Sequence, residues 1–141
     1  MSATFLTGIA RTTEPLTMLR RFLIVDAVVT APTAAVYLAA SGPVGRLLGV
    51  DPDVLLGSGA FLVLFTIGVA LIVARREPPA GAVKVVIEVN LAWTALSLAA
   101  PFLWLDPSAV GTVWIVLQAL VPAGLAGLYW GALRAGSGIR R

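Results

Sequence analysis

Four long stretches of the chain carry almost no charged residue, and together they set its hydrophobic pattern. They run over residues 27–45, 54–74, 85–105 and 107–133, and Glu88 is the single charge inside them. A helix needs about 20 mostly apolar residues to cross the roughly 30 Å hydrocarbon core of a bilayer. None of the stretches shows the polar–apolar alternation of membrane β-barrel strands. The pattern therefore predicts an all-α integral membrane protein, a four-helix bundle.

Turn-forming residues separate the stretches and predict where the helices begin and end. The pairs Asp51-Pro52 and Asp106-Pro107 each place an N-cap acceptor before a proline suited to a first helical turn. We therefore expect them to begin the second and fourth helices. Pro78-Pro79 separates the second helix from the third. One transmembrane domain, residues 1–141, is predicted, with spans at about 19–40, 52–74, 80–105 and 107–133.

The segment "PVGRLLGV" after the first span has a pattern of its own. Val44, Leu47 and Leu48 recur at helical spacing. Two interpretations stay open, a short helix lying along the membrane surface and a packed loop without regular structure.

Composition agrees with a membrane protein and excludes several kinds of chemistry. Hydrophobic residues make up 59% of the chain and charged residues 12%, too few for the surface of a soluble domain. The chain has no cysteine and no histidine, which excludes disulfides, Cys- or His-ligated haem and Ser-His-Asp catalysis, and makes a zinc site untenable. No flavin, nucleotide or quinone motif is present. We therefore predict no cofactor, no metal and no nucleic-acid partner, and favour a non-catalytic role.

The basic residues are distributed unevenly between the two ends of the predicted helices. Of ten Lys and Arg residues, only Arg46 lies in the loop between the first and second spans, and the loop between the third and fourth spans has none. The other nine share the opposite end: Arg11, Arg20, Arg21, Arg75, Arg76, Lys84, Arg134, Arg140 and Arg141. Basic residues concentrate on the cytoplasmic side of membrane proteins, so both termini are predicted to be cytoplasmic. The bias to Ala, Val, Gly and Arg, with a single lysine, indicates a high-GC bacterial genome and hence the bacterial inner membrane.

The first span carries a polar stripe that we expect to face other helices. Asp26, Thr30, Thr33 and Tyr37 fall at helical positions i, i+4, i+7 and i+11, which is one face. A face of this kind often joins membrane helices. Tyr129, near a span end, is predicted to be an interface anchor instead.

The third and fourth spans carry the other polar groups. Asn90 and Thr94 share one face of the third span, Lys84 and Glu88 share another edge, and Gln118 is the deepest polar residue of the fourth. We expect Asp26 and Glu88 to lie at similar depth, and at least one of them to be within ion-pair distance of Lys84, Arg20 or Arg21. The candidate intramembrane polar or ion-pair site is therefore Asp26, Lys84, Glu88, Asn90 and Gln118. We interpret it either as an ion-pair cluster that joins the first span to the third or as a proton or cation site.

Several segments resemble a known kind of protein. They are "RRFLIVDAVV", "LAASGPVGRLLGV", "ARREPPA", "KVVIEVNLAW" and "LQAL". Over residues 19–133 the chain is similar to uncharacterised small four-span membrane proteins of high-GC bacteria. This resemblance implies a topology and carries no activity, cofactor or functional residue.

Three classes of function are compatible with these features. A membrane enzyme is the least favoured, and its available acid–base groups are Asp26, Glu88, Lys84, Tyr37 and Tyr129. The other two are favoured over it. The first is a structural or accessory membrane component without catalysis, whose partners are the lipid bilayer and a larger membrane protein or further copies of the chain. The second is an oligomeric proton- or cation-coupled transporter of the small multidrug-resistance type. Those exporters typically carry a glutamate in the first span, where this chain has Asp26 nearer the cytoplasmic end.

Overall fold

The structure, a computed structural model, is entirely helical over the residues that it describes. These are residues 2–140 for the backbone and 16–135 for the side chains, so the side chains of Arg11, Arg140 and Arg141 lie outside the described part. It contains five helices: α1 (Ser2–Ala39), α2 (Ser41–Leu48), α3 (Pro52–Val73), α4 (Ala80–Leu103) and α5 (Ala109–Arg140). The all-α prediction is confirmed.

Four of the helices are long and apolar enough to cross a membrane. The candidate spans are Leu16–Ala39, Pro52–Val73, Ala80–Leu103 and Ala109–Ala135. Only 17–33% of their most hydrophobic windows is buried inside the protein, and the lowest share is that of α3. Many large apolar side chains therefore point outward, which is compatible with a multi-pass membrane protein.

Capping residues fix where α3 and α5 begin. Asp51 accepts a hydrogen bond from the backbone N–H of Asp53 at 2.8 Å, and Pro52 is the first residue of α3, as predicted. In α5 the prediction is wrong by two residues. Ser108 precedes the helix, and its Oγ accepts the backbone N–H of Gly111 at 3.1 Å. A serine in this position satisfies an amide that has no helical partner, so the cap of α5 is Ser108 and not Asp106.

The four long helices pack side by side in the order α3, α1, α5, α4. Neighbours in this order are antiparallel. Near the start of α5, Trp114 donates to Tyr37 near the end of α1. Further along α5, Tyr129 contacts Phe22, which lies earlier in α1. We call the end where α1 begins and α5 finishes the terminal end, and the opposite end, where α2 lies, the α2 end.

Two groups of buried apolar residues form the core, one towards each end. The group at the terminal end draws on all four long helices and includes Leu23, Val69, Val83 and Leu125. The group at the α2 end includes Ala34, Leu48 and Leu55 and is built by α1, α2 and α3. The helices are therefore joined most completely at the terminal end.

Close backbone contact holds α2 against the start of α5. The backbone N–H of Ser108 donates to the Leu48 carbonyl at 2.9 Å, and Gly49 has a left-handed φ of 68° that favours glycine. A Cβ built on Gly111 would overlap the Leu48 carbonyl oxygen. The segment is thus a helix, α2, and not a loop without regular structure, while its position along a membrane surface stays a prediction.

Candidate functional site

Asp26, in α1, is the buried acidic residue at the centre of a small polar cluster. Its side chain is 2% exposed. Oδ1 accepts a hydrogen bond from Thr30 Oγ1 at 3.3 Å, and Oδ2 accepts one from Asn90 Nδ2 at 3.1 Å. The Tyr129 hydroxyl lies 2.8 Å from Oδ2. Three donors from α1, α4 and α5 thus converge on one carboxylate, and we call these four side chains the Asp26 cluster.

The cluster is level across the helices. The hydrogen bond from Asn90 to Asp26 shows that the two residues lie at the same level of α1 and α4, which run in the same direction. The Tyr129 hydroxyl brings α5 to this level as well.

Tyr129 is wholly buried, so its prediction as an interface anchor is wrong. The side chain is 0% exposed, and its ring meets that of Phe22 edge-on at a centroid distance of 6.3 Å. Its hydroxyl also lies 3.0 Å from the Phe22 carbonyl oxygen. The sequence contains a signal for this burial, because Gln118, Leu125 and Tyr129 are spaced i, i+7 and i+11 on one face of α5.

Aromatic and amide groups continue the polar interior towards the α2 end. Trp93 Nε1 donates to Gln118 Oε1 at 2.8 Å and joins α4 to α5. Trp114 Nε1 donates to the Tyr37 hydroxyl at 2.7 Å and joins α5 to α1. Thr94 Oγ1 lies within 3.0 Å of the Ala119 carbonyl oxygen on α5. Among residues 16–135, every buried side-chain nitrogen or oxygen has a hydrogen-bond partner.

A cavity of about 250 Å³ lies beside these groups, between the four long helices. Its polar lining comprises Asp26, Thr30, Thr33, Asn90 and Gln118. Its aromatic lining comprises Phe61, Phe65, Trp93 and Trp114. Most of the remaining wall is aliphatic, and Asp26 is the one acidic residue among those that line this largely apolar and aromatic space. We call this space the central cavity.

A second cavity of about 140 Å³ lies nearer the α2 end. It shares Trp93, Trp114 and Gln118 with the central cavity, and its own lining includes Tyr37 and Ser58. The Trp93–Gln118 hydrogen bond therefore stands at the boundary between the two spaces.

The structure brings some of the predicted site residues together and leaves others apart. Asp26 and Asn90 are in direct contact, and Gln118 lines the same cavity. Lys84 and Glu88 are exposed on α4 and do not line that cavity.

A basic partner is predicted for at least one of Asp26 and Glu88, and at Asp26 neutral groups take that place. All three donors that converge on its carboxylate are uncharged side chains. The Arg20 guanidinium instead lies 3.5 Å from the Arg75 carbonyl oxygen in the loop after α3. Three donors can occupy most of the acceptor positions of a carboxylate, so the cluster is satisfied without an ion pair.

Sequence reasoning missed Phe61 altogether. It lies on α3, where its ring stacks on that of Trp93 at a centroid distance of 5.4 Å and an interplanar angle of 1°. No pattern within α3 distinguishes Phe61 from the other apolar residues, because its partner comes from a different helix.

No known protein family, no curated protein and no solved structure matches the chain. The resemblance to small four-span proteins therefore stays a prediction. Among the described residues, no group of three or more acidic side chains is placed to hold a metal ion.

Proposed function

We propose that the chain is a four-helix bundle in a bacterial inner membrane, with both termini in the cytoplasm. The four apolar helices and the nine basic residues that the sequence assigns to one side of the spans support this placement. The α2 end carries Arg46 with Asp51, Asp53 and Asp106, which suits the outer face. The resemblance to four-span proteins of high-GC bacteria agrees with it.

Reporter fusions test this topology. A reporter active only in the periplasm should be active when fused after Gly42 and inactive when fused after Pro79. The matched cytoplasmic reporter should give the opposite result at both sites. Periplasmic activity at Pro79 would overturn the orientation.

Within this placement, we propose that the protein acts as a structural or accessory component without catalysis. The observation that carries the proposal is the Asp26 cluster, which ties α1, α4 and α5 together through bonds that the protein itself completes. Interhelical hydrogen bonds of this kind stabilise membrane helices by about 0.6 to 2 kcal/mol each. The cluster therefore keeps the bundle in one arrangement and leaves its outer surface for lipid and for a membrane-protein partner or further copies.

Purification in a mild detergent tests the accessory role. The wild-type chain should retain a protein partner, or further copies of itself, through size-exclusion chromatography. A matched variant, Glu88→Gln, changes an exposed charge outside the cluster and should purify in the same state. A chain that elutes as a lone monomer, and has no partner in cross-linked membranes, would contradict this role.

One observation favours the second candidate function, an oligomeric transporter coupled to protons or cations. Asp26 lines the central cavity as well as holding the helices together. Intramembrane carboxylates commonly mark ion and substrate paths. In everted vesicles, Asp26→Asn should then abolish flux of a substrate while expression is unchanged. A folded Asp26→Asn variant with wild-type flux would exclude this function.

A further inference from the structure

Four arginines meet at the terminal end of the bundle, where α1 passes the loop between α3 and α4. Arg20 and Arg21 belong to α1, and Arg75 and Arg76 belong to the loop, residues 74–79. The Arg20 guanidinium donates to the Arg75 carbonyl oxygen at 3.5 Å, which brings the pair on α1 beside the pair in the loop. We call these four residues the arginine group.

Packing fixes the backbone on both sides of the arginine group. Leu19 and Leu23 flank the arginines of α1, and both are buried. Val69 near the end of α3 and Val83 near the start of α4 belong to the same buried apolar group. Pro78 in the loop is also buried, and its ring restricts the backbone there. The arginine side chains therefore extend from a backbone that the core holds in place.

The arginine group concentrates positive charge on the surface of the protein. Its members are exposed except for Arg20, which is half-buried, and Glu77 is the one acidic residue of the loop. Like charges repel each other at close range, and a bound anion relieves that repulsion. A guanidinium has five N–H donors, of which Arg20 uses one on the Arg75 carbonyl. The remaining donors form a planar fork that suits the oxygens of a phosphate.

The position of the arginine group determines which phosphate it meets. The candidate span of α3 ends at Val73 and that of α4 begins at Ala80, so the loop lies just beyond the apolar part of both helices. In a bilayer, the polar headgroups of the lipids lie at that level. Basic pockets between membrane helices are known to bind the headgroups of anionic lipids such as cardiolipin.

We propose that the arginine group binds the phosphate groups of an anionic phospholipid between α1 and the loop after α3. Arg20 is the central ligand, because its guanidinium is positioned by the bond to the loop, and Arg75 and Arg76 add charge beside it. A lipid with two phosphates suits four arginines better than a lipid with one.

This inference rests on the proposed placement in a membrane, but on neither the orientation nor the accessory role. Headgroups meet the arginine group on whichever side of the bilayer the terminal end lies. A lone monomer that retains the lipid would therefore contradict the accessory role and support the lipid site.

Three lipids with oleoyl chains separate recognition of the headgroup from contact with the chains. They are cardiolipin, phosphatidylglycerol and phosphatidylcholine. Each is titrated against the full chain in a neutral detergent, and native mass spectrometry measures the first bound lipid. Phosphatidylglycerol, with the same two chains as phosphatidylcholine, should bind about fivefold more tightly, and cardiolipin about tenfold or more. Equal affinities for phosphatidylglycerol and phosphatidylcholine would overturn the proposal.

Arg20→Gln tests the central ligand, with Arg134→Gln and Arg46→Gln as matched controls. Each variant removes one positive charge, and the control residues are exposed, Arg134 at the terminal end and Arg46 at the α2 end. We expect Arg20→Gln to weaken cardiolipin binding about fivefold and each control to weaken it less than about twofold. Equal losses in Arg20→Gln and Arg134→Gln would indicate diffuse attraction to a charged surface and overturn the site. If Arg20→Gln does not fold, the variant Arg75→Gln/Arg76→Gln takes its place.

Two further measurements test the chemistry of the site. Arg20→Lys keeps the charge and removes the planar fork, so it should bind cardiolipin more weakly than the wild-type chain and more tightly than Arg20→Gln. Wild-type affinity in Arg20→Lys would overturn the role of Arg20 as a positioned ligand. Inorganic phosphate at the concentration of the lipid should not displace cardiolipin. Displacement would assign the arginine group to a soluble phosphate compound and overturn the lipid as its ligand.

Discussion

Tyr129 gives a sharp test of the Asp26 cluster, because its single hydroxyl proton has two acceptors within reach. The hydroxyl lies 2.8 Å from Asp26 Oδ2 and 3.0 Å from the Phe22 carbonyl oxygen. Phe22 lies within α1, where its carbonyl also accepts the helical hydrogen bond from the residue four positions later. The carboxylate is thus the acceptor that gains more from the proton, and we expect Tyr129 to donate to it.

Tyr129→Phe removes the hydroxyl and keeps the buried ring, so its cost measures the hydrogen bond. Bonds to charged groups stabilise soluble proteins by about 1.5–3 kcal/mol, and interhelical polar contacts in membrane proteins by about 0.6 on average and about 1.7 at most. We therefore expect a loss of about 1.5 kcal/mol in the free energy of unfolding. In a double-mutant cycle with Asp26→Leu, about 1 kcal/mol of this should appear as coupling.

The assay is unfolding of the full chain in mixed micelles with increasing SDS, followed by circular dichroism. Tyr37→Phe is the matched control, since Tyr37 is also a buried tyrosine with a hydrogen bond, but its partner is Trp114. Its cycle with Asp26→Leu should be additive within about 0.5 kcal/mol. If Tyr129→Phe is costly but shows no coupling to Asp26, the proton belongs to the Phe22 carbonyl, and the hydrogen bond from Tyr129 to Asp26 is refuted.

Three further outcomes are expected in the same unfolding assay. Gly111→Ala should lower the free energy of unfolding by about 1–3 kcal/mol, because its Cβ would overlap a carbonyl oxygen of α2. Gly57→Ala, with nothing within 4 Å, should raise it by up to about 1 kcal/mol through helix propensity. Equal effects would contradict the close approach of α2 and α5. Ser108→Ala removes the cap of α5 and should lower the free energy of unfolding by about 1 kcal/mol, whereas Asp106→Ala should leave it unchanged. The opposite result would identify Asp106 as the cap, as the sequence predicts. Glu88→Gln, on an exposed surface, should leave the unfolding midpoint unchanged, and a clear loss would point to a partner.

Much of the helical pattern could be predicted from the sequence because it depends on local composition. Runs without charge and the Asp-Pro pairs mark the long helices, and α3 begins at the predicted Pro52. The start of α5 was misplaced because the choice between Asp106 and Ser108 depends on contact with α2, where Ser108 also donates to the Leu47 carbonyl. A tertiary contact of this kind leaves no trace in the local pattern.

The candidate site was predictable to the extent that helical faces determine it. Asp26 and Asn90 each lie on a polar face, and faces of that kind meet when helices pack. Tyr129, a partner of Asp26, could not be predicted from its depth alone. A tyrosine near the end of a span can be an interface anchor or a buried hydrogen-bond donor. It is a buried donor here because α5 packs against α1.

The joining of helices and the transport candidate both depend on the carboxylate of Asp26, and stability measurements separate them. A buried charged group can often be replaced by well-packed apolar residues with little loss, or even a gain, of stability. If holding helices together were the whole role of Asp26, Asp26→Leu combined with apolar replacement of Asn90 would restore the stability and lose nothing else. Transport through the central cavity gives a different expectation, because that double variant would keep its fold and lose flux. Measuring unfolding in mixed micelles and substrate flux in everted vesicles on this variant therefore distinguishes the two roles. Stability retained with flux lost assigns the carboxylate to transport, and both retained leaves the joining of helices as its whole role.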